Sequence, residues 1–261
     1  MLISSGILAC RLPEEKGVVL FVDIGTNGEM VLGVDGCLTA TSTAAGPAFE
    51  GMNIACGMRA GHGAVERVSL GENGVEVRTI NDSQPAGLCG SGLLDVVGEL
   101  AAHGGVDQNG RFQHNGASPD KPWKTHWETV GSKPVFRIAG PVFLTQKDVR
   151  QVQLAKAAIR AGIELMLRQN NLASAQVDRV LIAGSFGFHL RSESLINLGL
   201  LPGEFAGRVE FVGNTSRTGA QALLLNHPMR GYLKDVTKNV QILELSKDPA
   251  FQSVFLESLR F

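Results

Sequence analysis

Residues 18–42 most constrain the fold, because GVVLFVDIG, GEMVLGV and CLTATST read as three consecutive strands. Asp35-Gly36 supplies a tight hairpin turn between the last two, so a strand meander opens the fold. A loop with one short helix is expected over Ala45 to Gly63, followed by the hairpin AVERVSL and VEVRTI around Gly71-Glu72-Asn73-Gly74. GLCGSG then leads into a helix with Leu93, Val97, Leu100 and Ala101 on one face, ended by Gly104-Gly105. From Val106 to Pro134 the chain turns polar and reads as a long excursion. Thr145 and Asp148 form a capping-box-like start to a helix over Gln146 to Gln169, with Val152, Ala155, Ile159, Ile163 and Met166 on its apolar face. RVLIAG is a buried strand, Ser185 to Leu200 a loop and helix, VEFVG a strand and Thr215 to Leu225 a helix. NVQILEL and DPAFQSVFLESL close the chain as a strand and a helix. A meander first, then strands alternating with helices, indicates an α/β domain.

Composition narrows the function. Apolar residues make up 44% of the 261, enough for a buried core, so disorder is excluded as the main state. The 32 glycines follow no period of three, which leaves turns and ligand loops to hold them. With 24 basic and 25 acidic residues and no basic stripe, nucleic acid is not an expected partner. Cys10, Cys37, Cys56 and Cys89 stand singly, without metal or cluster spacing, and read as reduced, mostly buried thiols of a cytoplasmic protein. The opening MLISSGILAC lacks the basic start and the length of a signal peptide. Val18 to Val22 is far short of the ~20 apolar residues of a membrane span.

Three glycine-bearing loops stand where backbone N–H groups can surround a phosphate. In DIGTNGE, Asp23 ends a buried strand, Gly25 and Gly28 admit a close ligand, Thr26 and Asn27 offer short donors, and Glu29 returns a second acid. Asp23 could orient a water or hold Mg2+, which takes one or two carboxylates plus phosphate oxygens; the same residues also suit a plain hairpin turn. In GLCGSG, Gly90 and Gly92 flank Ser91 at a helix start, an anion site or a serine cap with permissive glycines. It matches neither a P-loop nor a dinucleotide fingerprint. In VLIAGSFGFH, a strand turns at Gly184 and Gly187, where an adenine ring could lie on the backbone. The same segment resembles a nucleophile elbow with Ser185 as a hydrolase nucleophile, but only Glu193, Glu204 or Glu210 followed by His227 could complete its triad. The histidines His62, His103, His114 and His126 read as solvated. Trp123 and Trp127 read as a cover for the local core or as anchors for a partner protein.

Taken in order, DIGTNGE, a CGSG before a helix, and a hydrophobic strand ending in Gly-Ser resemble the second lobe of the acetate and sugar kinase, heat-shock chaperone and actin superfamily. There the first element resembles the second phosphate motif and VLIAGS the adenosine motif. LCGSGLLD is similar to the glycine-rich helix start of the ATP-dependent activators of dehydratases and benzoyl-CoA reductases. DIGTNGEMVLG, STAAGPAFEGMNIACGMRAGHGAVERV, GLCGSGLLDVVGEL, LTQKDVRQVQLAKAAIRAGIELML, VLIAGSFGFHL and VGNTSRTGAQALLL resemble the C-terminal domain of the reductive activators of corrinoid enzymes, over most of residues 18–225.

The resemblance implies an α/β, ribonuclease H-like lobe of the actin-like ATPase superfamily over 18–261, with a hairpin after Gly63 and a polar insertion at 106–134; residues 1–17 would be the tail of a preceding lobe or a linker. It implies ATP and Mg2+ as cofactors. Asp23 and Glu29 would be catalytic, with Asp23 toward the metal. Gly25, Thr26, Asn27 and Gly28 would meet the phosphates, Gly90, Ser91 and Gly92 a phosphate or ribose, and Gly184, Ser185 and Phe186 the adenosine. In that family ATP binding and hydrolysis are coupled to reduction of a Co(II) corrinoid to Co(I), with electrons from an N-terminal iron-sulfur domain. No cluster cysteines and no first phosphate loop occur in these residues, so the expectation is one lobe, a weak nucleotide binder by itself, whose preceding lobe and iron-sulfur domain lie outside it. The implied partner is a corrinoid protein or corrinoid-dependent methyltransferase, with a homodimer compatible. A docking module using residues 106–134 without turnover is the alternative.

Overall fold

A computed structural model describes residues 2–114, 121–184 and 190–261. In chain order the elements begin with α1 (Leu2–Ala9), β1 (Val18–Ile24), β2 (Asn27–Val34), β3 (Cys37–Ala44), β4 (Ala64–Gly71), β5 (Gly74–Thr79), β6 (Gly87–Leu88), α2 (Gly90–Ala102), β7 (Trp127–Val130), β8 (Lys133–Ala139) and β9 (Val142–Thr145). They continue with α3 (Gln146–Gln169), β10 (Arg179–Ala183), α4 (Ser192–Asn197), β11 (Val209–Gly213), α5 (Thr215–Leu225), α6 (His227–Lys238), β12 (Gln241–Ile242) and α7 (Phe251–Ser258). Two compact units result. The first takes residues 2–44, 158–184 and 202–255, and the second takes 45–114, 121–157, 190–201 and 256–261.

The first unit is built on one mixed sheet of order β11-β10-β1-β2-β3-β12. The β1-β2-β3 meander is antiparallel, and β10 and β11 extend it in parallel on the β1 side, which is the ribonuclease H-like arrangement. The meander forms because its strands alternate two apolar sets. Val19, Phe21 and Val31 meet Ile7, Leu12 and Leu181 in one core. Gly28 and Met30 face the second half of α3, where Ile159 and Gly162 touch them. Asp178 accepts from the Val18 N–H at 2.8 Å and so fixes the start of the β1–β10 pair.

In the second unit α2 is buried almost all round and packs on β4, α4 and the 3-10 turn Pro47–Glu50. Burial on several faces replaces the single apolar face expected for it. Asp148 is 1% exposed and completes the capping box: its Oδ2 accepts from the Thr145 N–H at 2.8 Å, and its own N–H donates to Thr145 Oγ1 at 3.2 Å. Its other oxygen accepts from the Ala55 N–H at 2.9 Å, tying the glycine-rich 45–63 stretch to α3. The described part of the polar excursion carries its own packing. Trp123 is 2% exposed, edge-on to Phe136, and Trp127 packs edge-on to Phe112 and Phe136, so both indoles cover a local core.

Several elements differ from the expectations. α1, α6 and the β7-β8-β9 meander were not anticipated, and the NVQILEL strand shrinks to Gln241–Ile242. All four cysteines are free, but only Cys89 is buried and Cys37 is exposed, so the thiols are not mostly buried. Among the described residues no helix is long and apolar enough to cross a membrane.

Candidate functional site

The first unit gathers polar groups at the end of β1. The hairpin register sets Asp23 directly opposite Glu29 on β2, and the parallel register sets Asp23 beside Ala183 on β10. Residues paired this way share one face of a sheet. That face is the one on which Val19 and Phe21, four and two residues before Asp23, meet α1. Ala183 pairs in turn with Gly213, and the chain then enters α5 with Asn214 as its cap, Oδ1 accepting from the Arg217 N–H at 2.9 Å. Ser216, in the first turn of α5, donates its hydroxyl to Asp23 Oδ2 at 3.0 Å. A helix start, two opposed carboxylates and two hydroxyls therefore share one end of the sheet.

Electrostatics mark the same spot. Burial lifts the Asp23 carboxyl above its ordinary range, against the lowering effect of the Ser216 hydroxyl. Burial and then the Asp23 charge lift Glu29. Burial, helped by Glu15 and Asp23, pushes the Cys10 thiol up to about 11, so it stays protonated at neutral pH. Glu29 Oε2 and Thr215 Oγ1 are buried atoms without a hydrogen-bond partner, and Thr215 is 3% exposed. The orphaned Glu29 oxygen opposite Asp23, and the orphaned hydroxyl of Thr215 next to Ser216 in the chain, each need a cation, a proton or a donor. The donor set is hard oxygen throughout and fits Mg2+ carried on phosphate oxygens. Among the described residues no cluster of three or more His, Cys, Asp or Glu side chains could hold a metal by itself.

The remaining expected residues are placed as follows. Thr26 and Asn27 are exposed in the β1–β2 turn, and Gly25 has only the Asn27 carbonyl near its Cα, at 3.6 Å from where a Cβ would stand. Gly28 is buried, and a Cβ there would press on Ile159 and Thr43. Gly184 has φ +138° and lies against the Ile24 carbonyl, a place only glycine fills easily. Ser185 and Phe186 lie outside the described residues.

In the second unit Gly90, Ser91 and Gly92 are buried. A Cβ would stand 1.9 Å from the Phe49 carbonyl oxygen at Gly90 and 2.1 Å from that of Val65 at Gly92, so backbone contact accounts for both glycines. The cap of α2 is Cys89, whose Sγ lies 3.4 Å from Ser91 Oγ, and not the serine.

Sequence reasoning missed Thr215 and Ser216 as site residues; the Gly-Asn-Thr-Ser helix start was the signal available. It also missed a buried network in the second unit. Asp95, fully buried, accepts from Ser194 Oγ at 2.6 Å, Arg191 Nε at 3.2 Å and the Val68 N–H at 3.2 Å, while Glu99 takes Arg191 Nη2 at 3.2 Å.

Comparison with known proteins agrees with this architecture. The family described as the C-terminal domain of RACo, the ASKHA domain, matches residues 17–261. A corrinoid activation enzyme, RamQ, of Eubacterium limosum is 32% identical over 96% of this chain and 44% of its own length. The [Co(II) methylated amine-specific corrinoid protein] reductase of Methanosarcina barkeri is 25% identical over 93% of this chain and 46% of its own. The solved structure of a reductive activator for corrinoid, iron-sulfur protein superposes with a TM-score of 0.90 at 36% identity, covering 100% of this chain and 42% of that one. The chain thus spans less than half the length of these relatives. Matched from residue 17 to residue 261, and built on the sheet such a lobe requires, the chain belongs to the family of RACo C-terminal, actin-like domains.

Proposed function

We propose that this chain is the nucleotide-binding lobe of a reductive activator of corrinoid proteins, a machine that couples ATP binding and hydrolysis to the return of Co(II) corrinoid to Co(I). The observation that carries the reading is the opposed Asp23–Glu29 pair, with Glu29 Oε2 and Thr215 Oγ1 unpartnered at the start of α5. Asp23 and Glu29 would hold Mg2+, and the turn residues Gly25, Thr26 and Asn27 would present the phosphates. Bound Mg2+ supplies charge neutralisation of the phosphate oxygens. Ser216 fixes the Asp23 carboxylate through its 3.0 Å hydrogen bond, and the first turn of α5 adds the positive end of a helix dipole. The electron for cobalt would come from an iron-sulfur domain outside these residues, one electron per Co(II). The relatives named for corrinoid activation and corrinoid protein reduction support the assignment of partner.

Calorimetry with a non-hydrolysable ATP analogue and Mg2+ tests this. The wild-type chain is expected to bind, and Asp23→Asn to weaken binding by about tenfold or more, since a charge-assisted contact is worth about 1.5–3 kcal/mol. No heat at millimolar nucleotide, with a Co(II) corrinoid protein still bound, would replace the reading with a docking module. Labelling of Ser185 by a fluorophosphonate would replace it with a hydrolase.

A further inference from the structure

Away from that end of the sheet, the first unit carries an apolar groove of about 690 Å³ between α1, α5 and α6. It is lined by Ala220, Leu223 and Leu224 of α5, by Leu233, Arg230 and Lys234 of α6, and by Ser4 and Ser5 of α1. Leu224 is 74% exposed, and the adjoining Leu225 88%. Water-facing leucines in a concave wall mark a recognition surface. The charge around them is one-sided. No acidic residue lines the groove, neither Arg230 nor Lys234 has a carboxylate partner among the described residues, and the Arg230 Nε–H is spent on the Leu223 carbonyl at 3.0 Å.

We propose that this groove receives an acidic amphipathic helix of a separate protein, leucine-like side chains on its floor and carboxylates against Arg230 and Lys234. Charge selects this occupant. A second copy with its groove against this one would bring two sets of Arg230 and Lys234 to one interface with no lining carboxylate between them, which opposes pairing. Helix-in-groove binding needs this combination of concave apolar floor and charged rim.

The test uses the 261-residue chain and a fluorescein-labelled helical peptide about four turns long, with leucines on one face and glutamates flanking them, followed by fluorescence polarisation. A twin peptide carries lysine for every glutamate. The acidic peptide is expected to bind, to weaken as salt rises, and to lose about tenfold or more on Leu224→Asp and on Arg230→Glu with Lys234→Glu. The charge-reversed variant is expected to take up the basic twin instead. Equal binding of both peptides, or of neither, overturns the proposal. So does a dimer in sedimentation that Leu224→Asp dissociates, and so does flotation with phosphatidylserine vesicles that the charge reversal abolishes. Leu224 is exposed, so an unchanged melting curve separates lost docking from lost folding.

Discussion

Glu29→Gln should make the chain more stable and a poorer ligand for Mg2+-nucleotide at once. Glu29 stands directly opposite Asp23 on the same sheet face, with Oε2 buried and unpartnered. Like charges opposed across an antiparallel pair cost about 0.2–1 kcal/mol. Glutamine keeps the shape and removes the charge. For a unit of this size that gain raises the melting temperature by about 1–3 °C. The pH dependence carries the sign. Both carboxyls are raised in the fold, first by burial, so the fold holds protons that the unfolded chain releases. Their favourable contribution is present at low pH and is lost as pH rises through the raised values. The stability gap between Glu29→Gln and wild type should therefore be near zero below the ordinary carboxylate range and open toward neutrality. Thermal denaturation followed by circular dichroism across that range measures it, with nucleotide calorimetry alongside. A variant that melts lower than wild type at neutral pH, or a gap independent of pH, refutes the account of the site as two carboxylates held in unfavourable opposition.

Three further outcomes can be checked on the same chain. Gly92→Ala places a Cβ 2.1 Å from the Val65 carbonyl oxygen and should cost about 1–3 kcal/mol in chemical denaturation, whereas Gly25→Ala, with nothing nearer than 3.6 Å, should change stability by less than about 0.5 kcal/mol. Asp95→Ala leaves Ser194, Val68 N–H and part of Arg191 without their acceptor and should cost about 3–5 kcal/mol; pairing it with Arg191→Met should recover part of that loss in a double-mutant cycle. Ser216→Ala frees Asp23 Oδ2 and should weaken Mg2+-nucleotide binding severalfold in calorimetry, with the melting curve moved by about 1 kcal/mol or less.

Local signals in the sequence were reliable where one segment carries its own instruction. Asp35-Gly36 dictated a hairpin, and Thr145 with Asp148 dictated the start of α3 to the residue. The β1–β2 hairpin, turning at Gly25 and Thr26, made the Asp23–Glu29 opposition readable in outline, since a short turn fixes which residues face each other. α6 escaped because Gly231 weakens the helical signal just after Pro228 in the first turn, and because no residue of the helix is fully buried. β7 escaped because three of its four residues are exposed and follow no apolar alternation. Ser216 reaches Asp23 from almost two hundred positions away, a meeting made by sheet topology that no spacing encodes. The glycines of α2 were visible as glycines, but their pressure against Phe49 and Val65 requires the packed backbone.

The pairing of β1 with β10 bears on the order in which the chain can fold. Val18 and Asp178, bonded at the start of that pair, are 160 residues apart, and most of the second unit is encoded between them. Closing so long a loop costs entropy before any contact repays it, which slows the step that joins the strands. On the ribosome, the meander β1-β2-β3 emerges early with its β1 edge bare and must wait until β10 has been synthesised. An exposed parallel edge is an invitation to mispairing in the interval. A chain of this design therefore gains from synthesis in one direction: the stretch from residue 45 to 157 can consolidate its own sheets while the first unit remains half-made.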